Sequence, residues 1–195
     1  MKEVTASRKT NETDISLRLN PLGRGKSEID TGCGFLDHML TLFASHGRFD
    51  LSLFCTGDSR VDYHHSVEDV GLVLGGAFNE ALEERRGITR YGSLLLPMDE
   101  ALVMCAVDIS GRASLCFDAD IKAEKIGEFD VELLEEFWLG FCRASGFTAH
   151  IRQITGKNAH HIAEAVFKGM ARAISQAISP SPGFDGEIPS TKGTL

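Results

Sequence analysis

Two copies of one histidine pattern constrain this chain more than any other feature in it. DYHHSVEDV (62–70) and NAHHIAEAV (158–166) both carry H-H-x-x-E, and they hold four of the seven histidines. The copies lie in a longer duplication. FLDHMLTLFASHGRFDLSL (35–53) aligns with LLEEFWLGFCRASGFTAHI (133–151) at a shift of 98, and SVEDVGLVLGGAFNEAL (66–82) aligns with IAEAVFKGMARAISQAI (162–178) at a shift of 96. NETDISLRLNPLGRG (11–25) lies over DEALVMCAVDISGRA (99–113) at a shift of 88. Matches in a common order, with shifts that drift only slightly, predict two half-domains of one fold.

Both halves read alike. TDISLRLN with EIDTG, and ALVMCAVDIS with ASLCFDAD, alternate as strands do and predict hairpins through the Gly-rich turns LGRG and SGR. An apolar-periodic helix follows in each half, GFLDHMLTLFASHG and DVELLEEFWLGFCRASG, and each ends at a glycine suited to a left-handed cap. Next come the strands RFDLSLFCTG and FTAHIRQITG, then a long helix starting near each HHxxE. The predicted class is α+β, internally duplicated β-β-β-α-β-α half-domains, with mostly antiparallel sheets and helices packed on one face. The repeats span about 8–90 and 91–180 of a single domain covering 1–195, and 181–195 is an aperiodic, turn-rich tail.

Composition excludes several classes of partner. A net charge of −8 argues against nucleic acid and anionic membranes, both of which favour a basic face. No apolar run approaches the roughly 20 residues that cross a bilayer, and MKEVTASRKTNETD lacks the apolar centre of a signal peptide. Five cysteines without a CxxC spacing fit reduced thiols, so the reading is a cytoplasmic protein.

On a helix His64 and Glu68 share a face, as do His160 and Glu164, whereas His65 and His161 point about 100° away. If the two long helices meet across a pseudo-twofold, each cation takes a His and a Glu from one copy and a second His from the other. Duplication supplies further ligands at matched places: His38 in LDHML, and Glu136 in LEEFW. Histidine and carboxylate ligands without thiolates suit Mn²⁺, with Fe²⁺ and Zn²⁺ next. His46, at a helix end, reads as a C-terminal cation cap, and His150 as a strand histidine; neither joins the metal set. The residues alone leave two other readings open, a scaffold in which metal joins chains without chemistry, and a di-metal hydrolase.

The chain resembles the imidazoleglycerol-phosphate dehydratase family. The motifs are RKTNETDI (8–15), GFLDHML (34–40), DYHHSVEDVG (62–71), SGR (110–112), GKNAHHIAEAVFK (156–168) and PSTKG (189–193), in family order along nearly the whole chain. The resemblance implies a hydro-lyase of histidine biosynthesis that converts imidazole glycerol phosphate to imidazole acetol phosphate. It implies two Mn²⁺ per active site, and a shell of 24 identical subunits with active sites between chains. The metal set becomes His38, His64, His65, Glu68, Glu136, His160, His161 and Glu164, with Glu136 standing where many members carry histidine. Catalytic carboxylates are Glu12 foremost, then Glu68 and Glu164; Glu100, the repeat partner of Glu12, reads as structural. Substrate phosphate falls to Arg90, Arg112, Lys168, Ser190 and Lys192, with the tail as a closing loop and Lys168 reaching away from the metal. The substrate set also includes Glu12, His38, His64 and His160. Two similar cations, one for each ring nitrogen, fit the near-symmetry of imidazole.

Overall fold

The computed structural model describes residues 1–183 and 186–195. Strands β1 (Val4–Lys9), β2 (Thr13–Asn20) and β3 (Ser27–Asp30), helix α1 (Gly34–Gly47), strand β4 (Asp50–Gly57) and helix α2 (His64–Leu82) form the first half. The second half runs β5 (Tyr91–Met98), β6 (Ala101–Asp108), β7 (Ser114–Asp118), a short hairpin β8 (Lys125–Ile126) and β9 (Phe129–Asp130), α3 (Leu133–Ser145), β10 (Thr148–Thr155) and α4 (Ala159–Ile178). The two main sheets have the same order, β1-β2-β4-β3 and β5-β6-β10-β7. Apart from the inserted β8–β9 hairpin, the predicted repeat is therefore the observed one.

Alternation drives the strands. In β6 every second residue from Ala101 is buried, so one face of its sheet meets the core and the other does not. The predicted hairpin pairing is corrected by the register. β2 and β3 are not neighbours: β4 lies between them, antiparallel to β2 and parallel to β3. β7 likewise pairs parallel with β10. LGRG and SGR therefore lead into crossovers, and the tight hairpins are β1–β2 and β5–β6, each with a carboxylate near its tip. The sheets remain mostly antiparallel.

The helices lie between the two sheets. α2 packs on β2 and β1, α4 on β5 and β6, and the halves join helix to helix, α2 on α3 and α1 on α4. This corrects the expected meeting of the two long helices, which touch each other at most marginally. The reason is local. A methyl group on Gly71 would stand 2.4 Å from the Phe137 carbonyl oxygen, and one on Gly75 2.3 Å from that of Phe141. Small residues on α2 thus let α3 approach to backbone contact. Around that crossing Phe43, Phe78, Trp138, Phe141 and Phe167 form one aromatic cluster drawn from both halves, with Phe43 and Trp138 centroids 6.0 Å apart.

A second correction concerns the end of α1. Gly146 caps α3 in the left-handed conformation as expected, but in α1 the left-handed residue is Arg48, at φ 63°. Gly47 is the last helical residue, and a Cβ there would lie 2.1 Å from the Phe49 ring. It is glycine for packing, not for its φ.

Candidate metal centre

Each long helix opens with its histidines held by a polar residue two places earlier. The Asp62 carboxylate accepts the His64 amide at 2.7 Å, and the Asn158 side chain accepts the His160 amide at 2.9 Å. Asp62 and Asn158 are repeat equivalents, so both HHxxE motifs begin their helices in the same way.

In the second motif two histidines converge on one carboxylate, and the second of them is His38 rather than a histidine of the other HHxxE copy. His38 Nε2 lies 3.0 Å and His160 Nε2 3.1 Å from the same oxygen, Oε1 of Glu164. Their ligand atoms all fall within 4.8 Å of one another, the single three-ligand group of this kind among the described residues. His38 comes from the first half and His160 with Glu164 from the second, so the α1–α4 contact builds the group. Two imidazoles and an acceptor-only carboxylate make a donor set that fits a divalent cation such as Mn²⁺. Burial pushes the Glu164 carboxyl up, but hydrogen bonds from Lys168, His38 and His160 outweigh it and bring the group down to about 2. Glu164 is therefore ionised, as a ligand must be.

The first motif is looser. His64 Nε2 lies 4.0 Å from Glu68, whose other oxygen is 3.6 Å from Arg143. Glu136, on α3, makes no hydrogen bond or ion pair among the described residues and does not join His64 and Glu68 in a ligand group. The repeat equivalence of Glu136 with His38 thus gives matched places in the fold but not matched geometry within one chain.

The second histidine of each pair faces elsewhere. His65 Nδ1 is 3.0 Å from Asp58, and its Nε2 is 3.8 Å from Glu12. His161 Nδ1 is 2.7 Å from Glu100, and its Nε2 is 3.6 Å from Asp99. Hydrogen bonds to Asp58 and Glu100 raise both imidazoles above their ordinary value. Glu12 sits at the β1–β2 tip, where the Thr10 hydroxyl accepts the Glu12 and Thr13 amides, and the Thr13 hydroxyl donates to Asp69. Among the described residues its side chain makes no hydrogen bond. Glu100, its repeat partner, accepts from His161 and from the Asn158 and Lys157 amides, and it is held at about 2. Asp58, Asp69 and Arg143 were not singled out by motif reading; Asp58, just after a strand and within seven residues of His65, carried the only usable signal.

The cations expected at phosphate lie in two places. Lys168 turns back onto Glu164 Oε2 at 2.5 Å, which corrects its predicted reach away from the metal: one helical turn puts an ammonium beside an ionised carboxylate. Arg90 donates to both Asp108 oxygens, at 2.7 and 3.2 Å, and to the Pro189 carbonyl at 2.8 Å. Arg112 is 3.7 Å from Asp108. Ser190 lines a cleft of about 530 Å³ with Arg90 and Tyr91, and the Lys192 amide donates to the Ser190 hydroxyl. His46, expected as a charged helix cap, is lowered by burial and by Lys168 and Arg172 nearby.

The comparisons with known proteins decide the family. The imidazoleglycerol-phosphate dehydratase family model matches residues 31–174. The chain belongs to the imidazoleglycerol-phosphate dehydratase family. It is 51% identical over 195 residues to the imidazoleglycerol-phosphate dehydratase of Methylorubrum extorquens, covering 100% of both chains. It is 53% identical over 189 residues to that of Lachnoclostridium phytofermentans, covering 97% of this chain and 96% of the other. Crystal structures of the imidazoleglycerol-phosphate dehydratases of Staphylococcus aureus and Pyrococcus furiosus superpose with TM-scores of 0.84, at 38% and 43% identity. The alignments cover 92% and 97% of this chain and 100% of each of those. As a member of this dehydratase family, the chain is a carbon–oxygen lyase of histidine biosynthesis. Among the described residues no helix is long and apolar enough to cross a membrane.

Proposed function

We propose that this dehydratase uses manganese, two ions per active site, to convert imidazole glycerol phosphate to imidazole acetol phosphate in the cytoplasm. The observation that carries the reading is the convergence of His38 and His160 on one oxygen of ionised Glu164. The ligand set is His38, His64, His65, Glu68, Glu136, His160, His161 and Glu164. Only three of these meet inside one chain, which supports sites completed by neighbouring subunits in a large shell, 24 copies in the reading from family resemblance. The domain reading stands with it: two repeats, about 8–90 and 91–180, and a tail at 181–195 that binds substrate.

When bound, the metal supplies positive charge at the imidazole nitrogens, which helps the ring expel the neighbouring hydroxyl. The chain's residues do the rest. Glu12 takes the proton from the carbon beside the one that loses its hydroxyl; hydroxyl and proton leave as water, and the enol becomes the ketone as its O–H proton passes to the carbon that lost the hydroxyl. Its position at a hairpin tip, with its carboxylate free of hydrogen bonds among the described residues, leaves it available for that transfer. Glu68 and Glu164 are held as ligands and stand second as proton carriers. Arg90, Arg112, Lys168, Ser190 and Lys192 take the phosphate, which requires Lys168 to leave Glu164 and Arg90 to share its guanidinium with Asp108.

The test is formation of the ketone product, followed by absorbance after incubation with imidazole glycerol phosphate and Mn²⁺, for the wild type and Glu12→Gln. Wild type should turn over only with metal. The variant should lose a factor of about 10² or more in kcat, with KM little changed. Turnover in metal-stripped wild type, or near-normal kcat in Glu12→Gln, contradicts the respective part of the reading.

A further inference from the structure

The two histidines that point away from the three-ligand group share one feature that the duplication does not explain. His65 Nδ1 meets Asp58 Oδ2 at 3.0 Å, and His161 Nδ1 meets Glu100 Oε2 at 2.7 Å. A carboxylate only accepts, so in each neutral ring the proton sits on Nδ1, and the lone pair is left on Nε2. The paired carboxylate also fixes the ring plane. Histidines that ligate metals are commonly oriented this way, by an acceptor on the nitrogen that does not bind.

The carboxylates come from different places in the two halves. Glu100 lies at the β5–β6 tip and is itself anchored by the Asn158 and Lys157 amides, at 2.8 and 3.2 Å. Asp58 follows β4, and its counterpart after β10, 98 places on, is Gly156, which has no side chain to accept. The repeat counterpart of Glu100 is Glu12, which lies on the other side of the first-half ring, 3.8 Å from His65 Nε2. The same task is thus done by unrelated residues. Asp58 does the holding in the first half, and among the described residues the Glu12 carboxylate makes no hydrogen bond, only the 3.8 Å approach to His65.

We propose that Asp58 and Glu100 are positioning residues, which set the tautomer and aim of His65 and His161 so that each offers Nε2 to the metal. This rests on the proposal above that both histidines are metal ligands. It also gives the broken symmetry a consequence: one half spends its hairpin-tip carboxylate on orienting a ligand, and the other keeps it for proton transfer.

The test is a double-mutant cycle read by equilibrium Mn²⁺ binding to the assembled protein, independent of turnover. Asp58→Ala should weaken manganese binding by about 10- to 100-fold, the usual effect of losing such a partner. Asp58→Asn, which still accepts from Nδ1 but carries no charge, should recover part of that loss. In a His65→Ala background, Asp58→Ala should cause no further loss, since it acts only through that ring. Glu100→Ala with His161→Ala should behave alike. Because Glu100 also anchors the Lys157 and Asn158 amides just ahead of α4, the Asp58 cycle stands if the Glu100 variant fails to fold. Binding by Asp58→Ala equal to wild type, or losses that add in the double variant, overturns the positioning role while leaving the metal reading intact. Wild type that takes up no manganese overturns both.

Discussion

Glu164 and Glu100 show how single carboxylates acquire different duties from their surroundings. Both are held at about 2, Glu164 because bonds from Lys168 and two histidines outweigh its burial, and Glu100 by His161 and two backbone amides. Folded values below the ordinary 4.5 mean that these groups stabilise the fold above that pH and lose their contribution as pH falls toward 2. His65 and His161 act in the opposite sense: raised above 6.5, they stabilise the metal-free fold below that pH and lose this as pH rises through their folded values. Urea midpoints of the metal-free protein, measured between pH 5 and pH 2 for wild type and Glu164→Gln, check the acid limb. Wild type should lose more stability over that range than the variant. Parallel curves would mean that the Glu164 bonds do not survive in solution.

At the scale of elements, the α2–α3 crossing carries the junction between the halves. Gly75→Ala adds a methyl where the Phe141 carbonyl oxygen stands 2.3 Å away, against backbone that cannot rotate aside. The variant should lose about 1–3 kcal/mol, read as a lower urea midpoint. An unchanged midpoint would mean that the helices part without cost. Much of this level was legible in the sequence. The span of α1, the period of β2 and β6 and the starts of both long helices follow from local pattern, since alternation and capping act over a few residues. The placing of β4 between β2 and β3 did not, because strand order is settled by crossovers and core packing that no local period records. The α2–α3 contact is hidden for a related reason: no local period marks Gly71 and Gly75, and only the approaching carbonyls explain them. Of the three side chains that converge, spacing pairs His160 with Glu164, and duplication points to His38. Asp58 escaped because no motif contains it, and Lys168 was misjudged because its nearest anion lies one turn back on its own helix.

For the whole molecule, the proposed function makes the duplication a way of building two similar cation sites from one fold. Within a single chain the second-half motif is assembled with His38, while the first-half motif, with Glu136 apart from it, is not. Under the proposed function the remaining ligands come from neighbouring subunits, and metal loading is tied to assembly. The most direct measurement is a manganese titration of the metal-stripped, assembled wild type and His160→Ala, counting equivalents per chain. The account predicts two equivalents for wild type and the loss of at least one in His160→Ala. Two equivalents in both proteins, or none in either, would contradict it.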